Sequence, residues 1–102
     1  MVTIFAIITA KPGLRDKVLA IFNANVPKVH AEDGCLEYRA TVDAQGAPPM
    51  QTRLGPDSFA VVERWASMRA LEIHAAAPHI VAYRANTQEM VASRVVYVLS
   101  NS

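Results

Sequence analysis

The side chains best suited to moving a proton near neutral pH are three histidines, His30, His74 and His79. His74 and His79 stand five residues apart, with Pro78 between them. They therefore do not share a helical face, as the two histidines of an i, i+4 metal pair would. This spacing favours acid–base chemistry by a single imidazole and argues against a metal site.

His74 is the first candidate for a catalytic base. It lies beside the apolar stripe of a predicted short helix, which is formed by Met68, Leu71 and Ala75. From the edge of this stripe the imidazole could point inward and accept a proton from a substrate hydroxyl. The alternative is a histidine at the boundary of the core that bonds to the backbone.

Three further candidates lie on predicted helices. His79 and Tyr83 are one turn apart and could line one pocket, with Tyr83 as a second catalytic group and His79 as a substrate contact. Both could instead lie on the surface. Asn25 is close to the buried stripe of the first predicted helix and could donate a hydrogen bond to substrate.

Four candidates for substrate binding lie on predicted strands. Trp65 ends its strand and could stack on an aromatic ring or belong to the core. Glu63 and Arg64 point to opposite faces of that strand. One of them could enter the pocket while the other supports a dimer, unless both only form salt bridges. Tyr38, on the preceding strand, is the fourth.

Several common catalytic signatures are absent. The sequence has no Gly-x-Gly-x-x-Gly, no phosphate-binding Walker loop and no Gly-x-Ser-x-Gly nucleophile elbow. The single cysteine, Cys35, would need a nearby histidine to act as a nucleophile, and we interpret it as a small, partly buried residue. We therefore expect neither a nucleotide cofactor nor a metal.

The hydrophobic pattern predicts one α+β domain over residues 1–102. A helical period begins at Leu14, with Pro27 expected to kink or shorten the helix and Gly34 expected to cap it. A second helical region is interrupted by Pro78. The order β-α-β-β-α-β is the ferredoxin-like split βαβ arrangement. Strands are predicted at residues 2–10, 35–42, 58–65 and 94–99, and helical segments at 14–31, 68–75 and 79–91.

A homodimer is expected from the distribution of apolar residues. Hydrophobic residues make up 52% of the chain and charged residues 19%. The first and fourth strands are apolar on both faces, whereas the helices can cover only one face of a four-stranded sheet. Stacking two sheets across a two-fold axis would bury the other face and form a dimeric α+β barrel.

Charge and composition exclude some partners. The net charge of +1 comes with scattered basic residues, so nucleic acid is not an expected partner. The apolar opening segment is too short to span a bilayer, which argues against a membrane location. The single cysteine fits a reducing compartment, so a cytoplasmic location is expected.

Three segments resemble the antibiotic biosynthesis monooxygenase domain family. They are residues 8–13 (ITAKPG), residues 32–38 (EDGCLEY), and residues 62–67 (VERWAS) running into 70–74 (ALEIH) and Pro78-His79. Residues 55–58 (GPDS), in a long loop over 43–57, resemble the quinol monooxygenase branch. The resemblance implies a dimeric barrel, no metal or flavin, and a substrate pocket between each sheet and its helices. We expect the loop to gate or wall that pocket.

The resemblance implies cofactor-independent oxidation of a small aromatic quinol or polyphenol by O2, giving a quinone-type product. An electron-rich phenolate can reduce O2 directly if the protein holds the ring, excludes water and favours deprotonation. One alternative is a haem-degrading enzyme of the same fold. For that activity the family uses an asparagine on the first strand and a histidine on the second helical region. This chain has only apolar residues at 4–8 (IFAII) and has Tyr83 at the helical position, and both differences argue against haem degradation. Lactone-type isomerases also use such barrels, and a non-catalytic small-molecule-binding barrel is a further alternative.

Overall fold

The computed structural model describes residues 1–102 and contains four strands and three helices. The strands form one antiparallel sheet in the order β2-β3-β1-β4. The predicted ferredoxin-like α+β class is confirmed. The elements are β1 (Val2–Ala10), α1 (Arg15–His30), β2 (Cys35–Thr41), β3 (Ser58–Trp65), α2 (Met68–Ala76), α3 (Pro78–Thr87) and β4 (Val91–Leu99).

The helices pack over β1, β2 and β3 on one face of the sheet, and the core lies beneath them, while the edge strand β4 stays exposed on both faces. Alternate residues of β1 point into this core because successive strand side chains face opposite sides. The same alternation on β3 directs Phe59 and Val61 inward. The buried residues of β1 are Val2, Ile4, Ala6, Ile8 and Ala10.

The opposite face of the sheet is uncovered in a single chain and is mainly apolar over β1 and β4, whereas Arg64 and Glu37 form an ion pair on its β2–β3 side. Phe5 of β1 contacts Tyr97 of β4, with ring centroids 6.4 Å apart. Val95, Tyr97 and Leu99 on β4 are 45%, 49% and 46% exposed. Contiguous apolar surface of this kind is typical of an interface.

Some local details differ from the sequence-based expectations. Helix α1 continues through Pro27 to His30 and ends at Ala31. Gly34, with φ +82°, therefore does not cap the helix but forms the turn into β2. A Cβ atom at Gly34 would lie 2.7 Å from the Cβ of Ala70, so glycine allows α2 to pack closely against this turn.

The long loop over residues 43–57 connects β2 to β3 and lines none of the cavities of the single chain. The Asp43 carboxylate accepts hydrogen bonds from the backbone N–H groups of Leu54 and Gly55, at 2.8 and 2.9 Å. Asp57 leads into the end of the sheet where Ser58 pairs with Thr9. Within one chain, no loop residue lines a cavity, so the expected gating role has no support from the single subunit. None of the three helices is long and apolar enough to cross a membrane.

Candidate active site

A largely apolar cavity of about 260 Å³ lies between the helices and the covered face of the sheet. Of its 15 lining residues, 11 are hydrophobic. A concave apolar space with a few polar groups is typical of a small-molecule site. The side of this space that β4 forms is open to solvent, since Val96 and Val98 are 50% and 51% exposed. The other four lining residues have ionisable side chains: Glu63, His74, Arg84 and Arg94.

Glu63 projects into this cavity from β3 and is only 8% exposed. Its Oε1 accepts a hydrogen bond of 2.9 Å from the indole Nε1 of Trp65, two residues along the same face of the strand. Burial raises the pKa of the Glu63 carboxyl above its ordinary value, and the hydrogen bond from Trp65 and the charge of His74 only partly oppose that rise.

His74 lies between two carboxylates on the inner side of α2. Its Nδ1 is 2.9 Å from Oε2 of Glu32, and its Nε2 is 3.9 Å from Oε1 of Glu63. An ionised carboxylate can only accept a hydrogen bond, so Nδ1 carries the proton and donates it to Glu32. In the neutral imidazole this assignment places the free lone pair on Nε2, on the side of Glu63 and the cavity.

The helix that carries His74 packs differently from the predicted stripe. Met68 is 48% exposed and Ala75 is exposed, whereas His74 is 5% exposed and Leu71 is partly buried. Ser67 caps the helix by accepting a hydrogen bond of 3.1 Å from the backbone N–H of Ala70. The buried face of α2 is therefore centred on His74 itself.

Aromatic rings surround the imidazole and the cavity. The ring centroids of Trp65 and Tyr38 lie 4.5 and 5.4 Å from that of His74. Phe22 of α1 stacks on Tyr38 at 5.1 Å and meets the edge of Tyr83 at 5.9 Å. Burial raises the pKa of both tyrosines, so each keeps its proton and can donate a hydrogen bond.

The structure brings four of the sequence-predicted site residues to the cavity: Tyr38, Glu63, His74 and Tyr83. Trp65 does not line it but is fully buried behind Glu63 and His74.

Three sequence-predicted residues lie outside the cavity. Asn25 and His79 are hydrogen-bonded to each other at 3.0 Å and line a second groove between α1 and α3, which Tyr83 also lines, as its spacing from His79 predicted. His79 Nε2 is 3.4 Å from the Glu32 carboxylate, so this pair approaches His74 only through Glu32. Arg64 lies on the opposite face of the sheet, where its Nε donates to Glu37 at 2.9 Å.

Sequence reasoning missed Glu32 and Arg94. Glu32 was assigned only to the end of the first helix, although it opens the EDGCLEY segment on which the family resemblance depends. Arg94 is the only charged residue of β4, and all strand residues after it are apolar. It alternates with Val96 and Val98 and therefore faces the same side of the sheet, which is the signal that could have identified it. The structure contains no group of three or more His, Cys, Asp or Glu side chains that could hold a metal ion.

Comparisons with known proteins place these features in context. The family model for antibiotic biosynthesis monooxygenase matches residues 1–86. The chain is 39% identical over 85 residues to the Escherichia coli K12 protein named "Probable quinol monooxygenase YgiN", with 81% of each chain covered. Its structure is similar to PA3566 of Pseudomonas aeruginosa (TM-score 0.82, 25% identity, 99% and 93% covered). It is also similar to Rv0793 of Mycobacterium tuberculosis (TM-score 0.80, 28% identity, 99% and 94% covered).

Proposed function

Because the chain belongs to the antibiotic biosynthesis monooxygenase family, we propose that it oxidises an electron-rich quinol or polyphenol directly with O2. The observation that carries this proposal is the imidazole of His74, held through Nδ1 by Glu32 at the wall of an otherwise mainly apolar cavity. The name of the YgiN relative supports a quinol as the substrate class.

The reaction balances without an external reductant. A quinol that is converted to a hydroxyquinone loses four electrons, and one oxygen atom of O2 enters the ring while the other leaves as water. Deprotonation of the quinol starts the reaction, because the quinolate transfers an electron to O2 more readily than the neutral quinol does. The protein must therefore bind the ring, exclude water and accept one hydroxyl proton.

The cavity residues can divide these tasks among them. His74 Nε2 accepts the hydroxyl proton, and the resulting imidazolium lies between the carboxylates of Glu32 and Glu63. Tyr38 and Tyr83 supply hydrogen-bond donors toward oxygen atoms of the substrate, and their rings help to keep the site dry. Trp65 holds Glu63 in place through its indole N–H.

We propose that metal-stripped, flavin-free protein consumes O2 with 1,4-dihydroxynaphthalene. The expected stoichiometry is one O2 for each quinol, with a hydroxyquinone as product and no hydrogen peroxide, as measured with an oxygen electrode and product chromatography. Loss of turnover on chelation that one added metal restores would contradict the cofactor-independent mechanism. Absence of any enzyme-dependent uptake would favour a non-catalytic binding protein.

A haem titration followed by absorbance tests the haem-degrading alternative. The residues of β1 that face the cavity are apolar, namely Ile4, Ala6 and Ile8. None of them can supply the asparagine that this activity uses in the family, so we expect no specific haem spectrum.

We also propose that two copies pair through the uncovered sheet face. Tyr97 lies on the edge strand β4 of this face beside Phe5, and a partner sheet would remove both rings from water. Sedimentation equilibrium of the wild type at micromolar concentration should give twice the mass of one chain. Tyr97→Glu should shift the protein toward monomer because it buries a charge. Val81→Glu, at a 53% exposed position on α3, is the matched control and should remain dimeric. A monomeric wild type would contradict this interface.

Cys35 is a free thiol in the structure. Burial raises the pKa of this thiol, and the negative charges of Glu32 and Glu63 raise it further, which lowers its thiolate fraction and its reactivity. Free thiols persist in reducing compartments, so we propose a cytoplasmic location.

A further inference from the structure

The cavity carries opposite charges at its two ends. Glu63 pairs with Ile4 of β1 on one side, whereas Arg94 pairs with Ile8 of β1 on the other. Four residues along a strand correspond to about 13 Å. The acidic group and His74 therefore lie toward one end of an apolar space, and a guanidinium lies toward the other.

Arg94 has no carboxylate partner within the chain. None of the ion pairs in the structure includes it. Arg94 lines the cavity from the exposed edge strand β4, and its positive charge opposes the rise that burial causes in the pKa of Tyr83. Arg84 lines the same wall, but its Nη1 donates to the carbonyl of Ala75 at 3.2 Å.

We infer that the substrate is an aromatic carboxylate, with its acidic group bound by Arg94 and the hydroxyl to be oxidised at the far end of the ring system. A guanidinium binds a carboxylate through two parallel hydrogen bonds. Glu63 would repel a carboxylate at the opposite end, so the molecule can enter in only one orientation. The hydroxyl is then presented to His74. Only this last step rests on the proposed function.

Calorimetric binding of two redox-stable probes tests the inference without turnover. The probes are 6-hydroxy-2-naphthoate and its neutral analogue 6-hydroxy-2-naphthamide. Wild-type protein should bind the naphthoate about tenfold more tightly than the naphthamide at low salt, and added salt should reduce this preference. Arg94→Gln should abolish the preference, and Arg94→Lys should retain part of it. The matched control is Arg69→Gln, since Arg69 is an exposed arginine of α2 outside the cavity.

Two results would overturn the inference. One is equal affinity of the wild type for both probes, and the other is an equal loss of affinity for both probes in Arg94→Gln. The outcome is separable from the proposed function. Naphthoate binding that depends on Arg94, in a protein that oxidises no quinol, would support this inference and contradict the oxidation. Quinol oxidation without a naphthoate preference would overturn this inference alone.

Discussion

Replacing His74 with alanine is expected to lower kcat for quinol oxidation by about a hundredfold at pH 6–7, because general-base assistance is typically worth that much or more. The variant leaves Glu32 and Glu63 without the imidazole between them, so no neutral base remains at the wall of the cavity. KM should change little, since burial of the aromatic ring dominates binding. Steady-state oxygen uptake across a pH series measures both constants.

The pH dependence separates a catalytic from a structural role of His74. The deficit of His74→Ala should shrink at higher pH, where the quinol ionises without assistance. In the wild type, burial raises the pKa of Glu63, so protonation of this carboxyl should reduce kcat at a pH above the ordinary glutamate value of about 4.3. Ile73→Ala, at a 56% exposed position on the same helix, is the control and should keep the wild-type profile. A normal rate of His74→Ala at every pH would make the histidine structural and direct attention to Tyr83.

Replacing Glu32 with glutamine is expected to lower kcat on the order of ten- to a hundredfold, because it would change which nitrogen of His74 carries the proton. The glutamine amide can donate to Nδ1, which would then be an acceptor and would place the imidazole proton on Nε2. The cavity would face a donor instead of a base. Asp33→Asn removes the same charge from the neighbouring exposed position and should leave the rate unchanged.

A double-mutant cycle tests whether Glu32 acts through His74. Glu32→Gln combined with His74→Ala should be no slower than His74→Ala alone, because the base that Glu32 positions is already absent. Circular dichroism would establish that each variant is folded. Additive losses, or an effect of Glu32→Gln no larger than that of Asp33→Asn, would contradict the positioning role.

Local periodicity in the sequence was enough to predict the elements and the two faces of β1. Side chains in a strand alternate by geometry alone, so the division between Ile4 and Phe5 needs no tertiary information. The same rule placed Glu63 and Arg64 on opposite faces. It left open which face the helices cover, because that choice depends on contacts between distant segments.

The helical pattern of α2 did not decide which side of the helix is buried, because that side also depends on contacts between distant segments. A stripe drawn through Met68 and Ala75 differs from one centred on His74 by only part of a turn, and both contain Leu71. In the structure Ala70 packs against the turn at Gly34 and His74 bonds to Glu32, so the second stripe is the buried one. The composition of residues 43–57 predicted a loop, but only the strand pairing decided that it lies at the end of the sheet opposite Trp65.

The sequence by itself determined the element order, the apolar sheet face and four of the side chains that line the cavity. The tertiary structure alone decided the partners of those side chains. Glu32 and His74 are separated by 42 residues, and Arg94 reaches the cavity only through the pairing of β4 with β1. Alternation and helical period are properties of neighbouring residues, whereas a hydrogen bond between distant segments exists only once the sheet and helices have packed.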